Sequence, residues 1–545
     1  MEQQDLNKRL ILALVLSFLV FVGYSYLFPP KQPATEMTQS ANASSATPQN
    51  HATTAPAPSS AGKAEVPASS QNEAKAPVTT TDEKILAVVK SKTFKMSIDA
   101  FGRINKFELL EAKYKNAEGH NLQILGASEV KPLEVRFSDA KLNEEAFKTP
   151  YTYSGPKEVD VDKAAQTLVF TQRLSSATIT KKLTIKPNGA YTLEISTTPA
   201  VAYYITPGHR PMADSSRYLL VRGALVKGAD GVITTIEDKK AKGDELFKGA
   251  TIASAFDRYV ASTFYDFKHG MNVSVIKEKD DNPLLFVEGS QNMHLGGYIG
   301  PKEYNILKSI NPELTDTIEF GFFTFLSRPF YKIILWIESL VGNWGWAIIL
   351  FTLLVKLTLF PLSYKGMMSM QKLKDLAPKM KELKAKYKDD PAKMNVKMME
   401  MYKKNGANPM GGCLPMILQI PVFFALYRVL LNADELQGAH WIHGWIENLA
   451  VADPYYILPV LMGASMWFQQ RITPNNFTDP MQEKIFKWFP VGMALMFIIM
   501  PFPSGLVLYW VVNNIFTIGQ QYVINKAYAK HKAEAVAAHK RGKES

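Results

Sequence analysis

The chain has 545 residues, a formal net charge of +12 and 47% hydrophobic residues, so its length allows several domains. Its single cysteine, Cys413, excludes an intramolecular disulfide, and no group of Cys and His has the spacing of a zinc site. The sequence also lacks a GxxxxGK(S/T) phosphate-binding loop. We therefore expect no ATP-driven motor, no metal site and no cofactor.

The first apolar run is Leu10–Phe28, which contains 19 residues and no charge. That length is enough for one helix to cross a bilayer. The run ends in Tyr24, Tyr26 and Phe28, followed by Pro29 and Pro30, where a signal peptide would have small residues for cleavage. We therefore predict an uncleaved membrane anchor over residues 1–30. Residues 31–81 are rich in Ala, Ser, Thr and Pro, and this composition predicts a disordered linker.

Residues 82–326 show the short alternating runs that are typical of β-strands. Apolar residues alternate along Thr178–Lys186 and Tyr191–Ser196, and Pro187, Asn188 and Gly189 between the two runs predict a turn. The whole region is predicted to form one large antiparallel sandwich. Its four histidines are scattered along the chain and form no local catalytic motif.

An amphipathic helix is predicted at residues 327–342, with Pro329 in its first turn. One face of this helix carries the apolar residues Phe330, Ile333, Ile334, Ile337 and Leu340. This pattern favours a helix that lies along the outer membrane surface. A core helix of the sandwich is the alternative.

Five further membrane spans are predicted within residues 343–524. They are placed near Trp344–Leu362, Gly411–Leu431, Tyr455–Phe468, Phe486–Met500 and Ser504–Ile524. With the N-terminal anchor, the chain is predicted to have six spans.

The charges of the connecting segments give the orientation of these spans. Residues 363–410 contain 12 Lys and 5 acidic residues, a net charge of +7, whereas residues 432–454 contain no Lys or Arg. The tail, residues 525–545, contains 6 basic and 2 acidic residues, a net charge of +4. Because positive loops remain in the cytoplasm, both termini are predicted to be cytoplasmic and the β region is predicted to lie outside.

One charged residue, Lys356, lies inside the second predicted span, about 18 Å from its outer end. An ammonium costs at least ~2.5–3.5 kcal/mol at this depth, and the five C-terminal spans contain no acidic residue to pair with it. Polar residues do occur in these spans, namely Thr352, Gln419, Asn513, Asn514, Gln520 and Gln521. Together they predict a hydrated pocket with one positive charge. Snorkelling of Lys356 to the cytoplasmic surface is the alternative.

A cytoplasmic helical hairpin is predicted at residues 363–410. Leu373, Leu376, Met380, Leu383 and Tyr387 form one apolar stripe, and Met394, Met398 and Met401 form the other. Flexible methionines suit contacts with varied apolar partners, but a simply packed hairpin fits equally well.

Several motifs resemble the YidC/Oxa/Alb insertases, and they occur in that family's order over about residues 327–526. They are Val341-Gly-Asn-Trp-Gly-Trp, Phe360-Pro-Leu, Asn408-Pro-Met-Gly-Gly-Cys-Leu-Pro, Gln419-Ile-Pro-Val-Phe-Phe-Ala-Leu-Tyr, Asp453-Pro-Tyr-Tyr-Ile-Leu-Pro, Asp479-Pro-Met-Gln and Pro503-Ser-Gly-Leu-Val-Leu-Tyr-Trp. The large external domain is similar to the Gram-negative branch of the family. The resemblance implies a six-span polytopic α-helical protein of the inner membrane, with an inserted all-β periplasmic supersandwich domain.

The resemblance also implies a substrate groove that is open to the cytoplasm and to lipid. Lys356 aligns with the family's central positive residue, which is Arg in the better-known members, so this chain keeps the charge but loses the planar fork. The residues that match groove or substrate-facing positions are Thr352, Gln419, Phe423, Tyr509 and Trp510.

The resemblance implies that the chain inserts and folds other membrane proteins. It also implies that the chain is not an enzyme. The implied partners are nascent membrane proteins, the bilayer, and the Sec translocon with its accessory subunits. Ribosome contact through the hairpin and the basic tail stays open.

A secondary transporter and a membrane-tethered glycan-binding protein are the alternative functions. The first would have membrane carboxylates and inverted repeats. The second would have clustered carboxylates or a His pair in a cleft of the sandwich.

Overall fold

The computed structural model describes residues 84–115, 119–127, 129–213, 221–243, 245–387, 390–405, 414–473, 480–500 and 502–544. All of these residues belong to one compact unit, residues 60–545. The predicted anchor, the predicted linker and Cys413 lie outside the described residues.

The strands form three sheets, which together are called the β domain below. The first sheet, in the order β4-β3-β2-β1-β6, contains β1 (Ile85–Lys90), β2 (Phe94–Asp99), β3 (Ile104–Leu109), β4 (Leu122–Gln123) and β6 (Glu158–Asp160). The second, in the order β13-β16-β17-β10-β5, contains β5 (Val135–Phe137), β10 (Ala202–Ile205), β13 (Glu245–Ala250), β16 (Met271–Lys277) and β17 (Pro283–Ser290). The third, in the order β12-β11-β14-β15-β18-β9-β8-β7, contains β7 (Gln166–Arg173), β8 (Thr178–Ile185), β9 (Ala190–Thr198), β11 (Gly223–Lys227), β12 (Ile233–Glu237), β14 (Ile252–Phe256), β15 (Val260–Tyr265) and β18 (Asn292–Pro301).

The predicted hairpin at residues 178–196 is confirmed by the antiparallel pairing of β8 with β9. Leu183 faces Leu193 in this register, and alternate residues of both strands enter the core of the β domain. Gly189 has a φ of +81°, a left-handed conformation that glycine adopts without strain.

Two features differ from the predicted antiparallel, all-β sandwich. Strand β6 pairs with β1 in a parallel register. A helix, α1 (Ala140–Lys148), also lies within the domain; Asp139 caps it by accepting from the Leu142 amide, and Leu142 and Ala146 are buried. The domain is therefore β-rich rather than all-β.

The remaining helices follow the strands. They are α2 (Tyr304–Ile310), α3 (Thr324–Val341), α4 (Trp344–Thr358), α5 (Phe360–Lys386), α6 (Pro391–Lys404), α7 (Leu414–Asn432), α8 (Ile457–Ile472), α9 (Pro480–Ile499) and α10 (Ser504–Glu544). Helices α3 to α10 are called the helical core below. Helix α10 continues without a break from the last predicted span into the predicted basic tail.

The predicted span Trp344–Leu362 is wrong at its end, because α4 stops at Thr358 and α5 begins at Phe360. Pro361 lies in the first turn of α5, where its missing N–H costs no helical hydrogen bond.

Among the described residues, no single helix has both the length and the apolar composition to cross a bilayer. By those criteria only the pair of helices 344–358 and 360–383, bent by 64°, could do so. The count of six spans stays a prediction.

The predicted surface helix also differs in its start and in its faces. Helix α3 begins at Thr324, so Pro329 lies beyond the first turn. Its buried residues are Ser327, Tyr331, Ile334 and Ile337, whereas Leu340, predicted on the apolar face, is exposed together with Phe325 and Trp336. The buried residues form a stripe along one edge of the apolar face, so the rest of that face is left exposed.

The β domain and the helical core share one continuous set of buried apolar residues. It runs from Phe256 and Tyr298 in the third sheet, through Tyr331 and Ile334 in α3, to Phe351 in α4. The packing therefore joins the two parts directly.

A buried polar cluster joins the same two parts just beyond the end of α7. Asp434 accepts from the Tyr114 hydroxyl at 2.5 Å and from the Lys113 ammonium at 3.2 Å, and Lys113 also pairs with Glu303. The next residue, Glu435, accepts from the Tyr331 hydroxyl at 2.5 Å and from the Tyr304 amide at 2.9 Å. We call this set the docking cluster.

Burial sets the protonation of the docking cluster. It raises the pKa of Asp434 from 3.8 to about 7, against the opposing effects of Lys113 and Tyr114. Burial alone would lower the pKa of Lys113, but the carboxylates of Asp434 and Glu303 outweigh it and raise that pKa. Because the pKa of Asp434 is raised on folding, its contribution to stability is complete below its ordinary pKa and is lost as the pH rises through about 7.

We expect Asp434→Asn to flatten the dependence of thermal stability on pH. The amide keeps an acceptor for Tyr114 but cannot ionise, so the fall in melting temperature between about pH 5 and pH 8 should shrink by several degrees. The measurement is thermal unfolding of the detergent-solubilised chain. Glu447→Gln, which alters an exposed carboxylate in the same loop, is the matched control. An unchanged pH slope in Asp434→Asn would contradict the assignment.

Candidate functional site

Lys356 lies on α4, with only 8% of its surface exposed. Its ammonium donates to the hydroxyl of Thr517 in α10 at 2.9 Å and to the side-chain oxygen of Gln419 in α7 at 3.4 Å. Both partners are uncharged, and α4, α7, α8 and the first 21 residues of α10 contain no Asp or Glu. The site therefore has one buried positive charge that is solvated by dipoles.

Asn513 of α10 connects the two partners of Lys356. Its side-chain oxygen accepts from the Gln419 amide at 3.1 Å, and its main-chain oxygen accepts from the Thr517 hydroxyl at 2.7 Å. Gln520, further along α10, donates to the main-chain oxygen of Lys356 at 3.2 Å. Helices α4, α7 and α10 are thus joined by one hydrogen-bonded set, called the polar cluster below: Lys356, Gln419, Asn513, Thr517 and Gln520.

Two of the predicted site residues have their hydrogen bonds elsewhere. Thr352 lies one turn before Lys356 and is buried, but its hydroxyl donates to the Ile348 carbonyl of its own helix at 2.7 Å. Asn514 donates to Ser465 of α8 at 3.1 Å. The structure therefore brings Lys356, Gln419 and Asn513 together, while Thr352 and Asn514 flank them.

The three predicted aromatic residues meet one helical turn from the polar cluster. The ring centroid of Phe423 lies 5.0 Å from that of Trp510 and 6.4 Å from that of Tyr509. Trp510 also contacts Phe497 of α9 edge-on, with 5.2 Å between the centroids. Because Phe423 is four residues after Gln419, one face of α7 carries both the polar and the aromatic part of the site.

Thr517 joins the site beyond the predicted residues, whereas Gln520 was predicted in the hydrated pocket and contacts Lys356 there. Gln521, predicted in the same pocket, instead belongs to a second polar set near the hairpin. In that set Asn525 accepts from Gln371 and Gln521, and Asp375 of α5 accepts from Tyr528 at 2.9 Å and Lys532 at 2.7 Å. The helical repeat could have indicated Thr517, because it follows Asn513 by four residues and therefore lies on the same face of α10.

The hairpin is formed by α5 and α6. Its small apolar cluster consists of Leu373, Leu376, Met380, Met398, Met401 and Tyr402. The first five of these belong to the two predicted stripes, whereas Leu383, Tyr387 and Met394, also predicted there, lie outside the cluster. Tyr402 is an addition, and its hydroxyl lies 3.3 Å from the Met380 sulfur.

Two clefts occur in the β domain. The cleft of about 440 Å³ is lined by Lys95, Lys106, Lys131 and a single carboxylate, Glu108. The cleft of about 370 Å³ has one carboxylate, Glu194, and one histidine, His294. Neither has the clustered carboxylates or the His pair expected of a glycan enzyme. Among the described residues, no group of three or more metal-ligating side chains could hold a metal ion.

Residues 336–532 match the family described as 60Kd inner membrane protein, and residues 234–333 match the family described as YidC periplasmic domain. A protein called membrane protein insertase YidC from Wolinella succinogenes is 46% identical over 98% of each chain. Its namesake from Campylobacter jejuni is 45% identical over 96% of this chain and 97% of its own. A solved structure described as active YidC insertase aligns over 82% of this chain and 95% of its own, at 17% identity and a TM-score of 0.35. The sequence relatives show that the chain belongs to the YidC family of membrane protein insertases, inner-membrane proteins with a periplasmic domain.

Proposed function

We propose that this insertase works through a groove built around the polar cluster and the neighbouring aromatic residues. The observation that supports this proposal is the buried Lys356 ammonium, whose hydrogen-bond partners are all uncharged. The proposed groove residues are those predicted from the sequence, Thr352, Lys356, Gln419, Phe423, Tyr509, Trp510, Asn513 and Asn514.

The positive charge of Lys356 would attract the part of a client that must cross the membrane. An ammonium has three donors, and two are used by Thr517 and Gln419. A carboxylate or other polar group of the client would accept from the third. The attraction would be stronger than in water because apolar helices surround the site.

The apolar part of the client would leave along the outer faces of the same helices. Leu350, Leu354 and Leu357 of α4 and Ile420 and Phe424 of α7 are exposed. Transfer of apolar surface into lipid releases about 25 cal/mol per Å², which is sufficient to drive insertion without ATP. No bond is made or broken in this process, so the chain would not be an enzyme.

The proposed arrangement in the membrane follows the charge pattern. It begins with an anchor over residues 1–30, a linker over residues 31–81 and a periplasmic β domain that ends where α3 begins. The surface helix is α3 (Thr324–Val341). A five-span core follows, with the hairpin of α5 and α6 on its cytoplasmic side, and residues 525–545 form a cytoplasmic tail. The exposed Phe325 and Trp336 of α3 support the surface helix. Both termini would be cytoplasmic.

Client delivery would occur on the cytoplasmic side. The Lys-rich hairpin and tail are joined there by the contacts of Asp375 with Tyr528 and Lys532. They would meet a client as it leaves the ribosome, and the core would act alone or beside the Sec translocon.

We expect photocrosslinkers placed at Gln419 and Trp510 to capture a short single-span client during its synthesis. Crosslinks should move from Gln419 to Trp510 as the client lengthens, because the two residues lie one turn apart in the groove. A crosslinker at the exposed Val232 of the β domain is the control and should capture less of the early chain. Equal capture from all three positions would refute the groove.

We expect Lys356→Ala to reduce insertion of clients with acidic outside-going segments by roughly tenfold, the effect of losing one charge-assisted hydrogen bond. A client with the same length and uncharged residues should be affected less. Lys332→Ala, which removes an exposed cation from α3, is the matched control. Insertion is measured by protease protection in vesicles. An equal effect on the two clients would exclude charge attraction.

A further inference from the structure

We infer that Thr517 is a positioning residue that holds the Lys356 ammonium within the groove. The inference rests on the function proposed above. Thr517 would determine where the charge of Lys356 lies, whereas Lys356 itself supplies that charge.

The hydroxyl of Thr517 is oriented to accept from Lys356. Its proton is directed to the Asn513 carbonyl at 2.7 Å, one turn back along α10. A hydroxyl has one donor and two acceptor lone pairs, so the lone pairs remain for the ammonium at 2.9 Å. This is the shorter of the two ammonium contacts, since the bond to Gln419 is 3.4 Å.

Helix α10 forms hydrogen bonds with both the main chain and the side chain of Lys356. Gln520 donates to its main-chain oxygen, and Thr517 accepts from its side chain three residues earlier on the same helix. Gln419 is itself oriented by its donation to Asn513, which leaves its oxygen for the ammonium. The ammonium therefore has a defined place, with its third donor directed to no side chain among the described residues.

A lysine requires this support more than an arginine would. Its ammonium is a point charge on a flexible stem, whereas a guanidinium has five donors in a rigid fork. Lys356 lies two residues before the end of α4. Without Thr517, the stem could extend past the end of the helix and carry the charge to water. An arginine could bind Gln419 through two donors and would depend less on Thr517.

The test combines Thr517→Val with Lys356→Arg and measures the insertion of two clients. The clients differ only in whether the outside-going segment carries acidic or neutral residues of the same size. Valine has nearly the shape of threonine but has no acceptor. We expect Thr517→Val to lower the ratio of acidic to neutral client insertion by roughly fivefold in the Lys356 protein, and by less than about twofold in the Lys356→Arg protein.

Two control variants separate positioning from packing. Thr517→Ser retains the hydroxyl and should retain the ratio. Thr358→Val removes an exposed hydroxyl whose hydrogen bond is to its own helix, at 2.9 Å to the Leu354 carbonyl, and should leave the ratio unchanged. Thermal unfolding of each purified variant identifies any loss of folding, and the Lys356→Arg, Thr517→Val protein keeps the comparison valid if the single variant is unstable.

The inference is overturned if Thr517→Val leaves the ratio unchanged, lowers it equally in both backgrounds, or is matched by Thr517→Ser. If Lys356→Ala abolishes the preference for acidic clients while Thr517→Val leaves that preference unchanged, only this inference fails. If the unaltered protein shows no such preference, the proposed role of the charge fails as well.

Discussion

The ammonium of Lys356 is held among helices that offer it only uncharged acceptors. Burying an ion without a counter-ion costs several kcal/mol, and the hydrogen bonds that Lys356 donates to Thr517 and Gln419 recover part of that cost. Each of these bonds requires α7 and α10 to approach α4 at a fixed distance. The charge therefore constrains how the three helices pack, and it leaves a positive site at the centre of the proposed groove.

The docking cluster fixes the opposite end of α7. Gln419 lies in the polar cluster, and Asp434 and Glu435 follow the end of the same helix and contact Lys113 and Tyr331. A helix that is held at both ends cannot tilt freely. The β domain can thus influence the position of α7, which carries part of the proposed groove. Because burial raises the pKa of Asp434, this attachment depends on pH.

Local patterns predicted the parts of the structure that depend on neighbouring residues. The β8–β9 hairpin follows from alternation and a turn, and the convergence of Lys356 with Gln419 and Asn513 follows from the cost of polar groups in membrane helices. The docking cluster could not be predicted, because Lys113 and Asp434 are 321 residues apart and each resembles an ordinary surface charge. Thr352 was expected beside Lys356, but a threonine hydroxyl in a helix can bind its own carbonyl instead. Thr517 was missed since threonine is unremarkable in an apolar helix.

Two adjacent residues of helix α4 differ in polarity and in exposure to solvent. Lys356 is buried in the polar cluster, whereas Leu357 is 61% exposed on a neighbouring face of the helix. The helix ends at Thr358, and α5, the first helix of the hairpin, leaves at an angle of 64°. In the proposed groove, a client segment that leaves the polar cluster would therefore meet an exposed apolar surface within the width of one helix. Because the distance between these two surfaces is short, the proposed transfer would need no large conformational change.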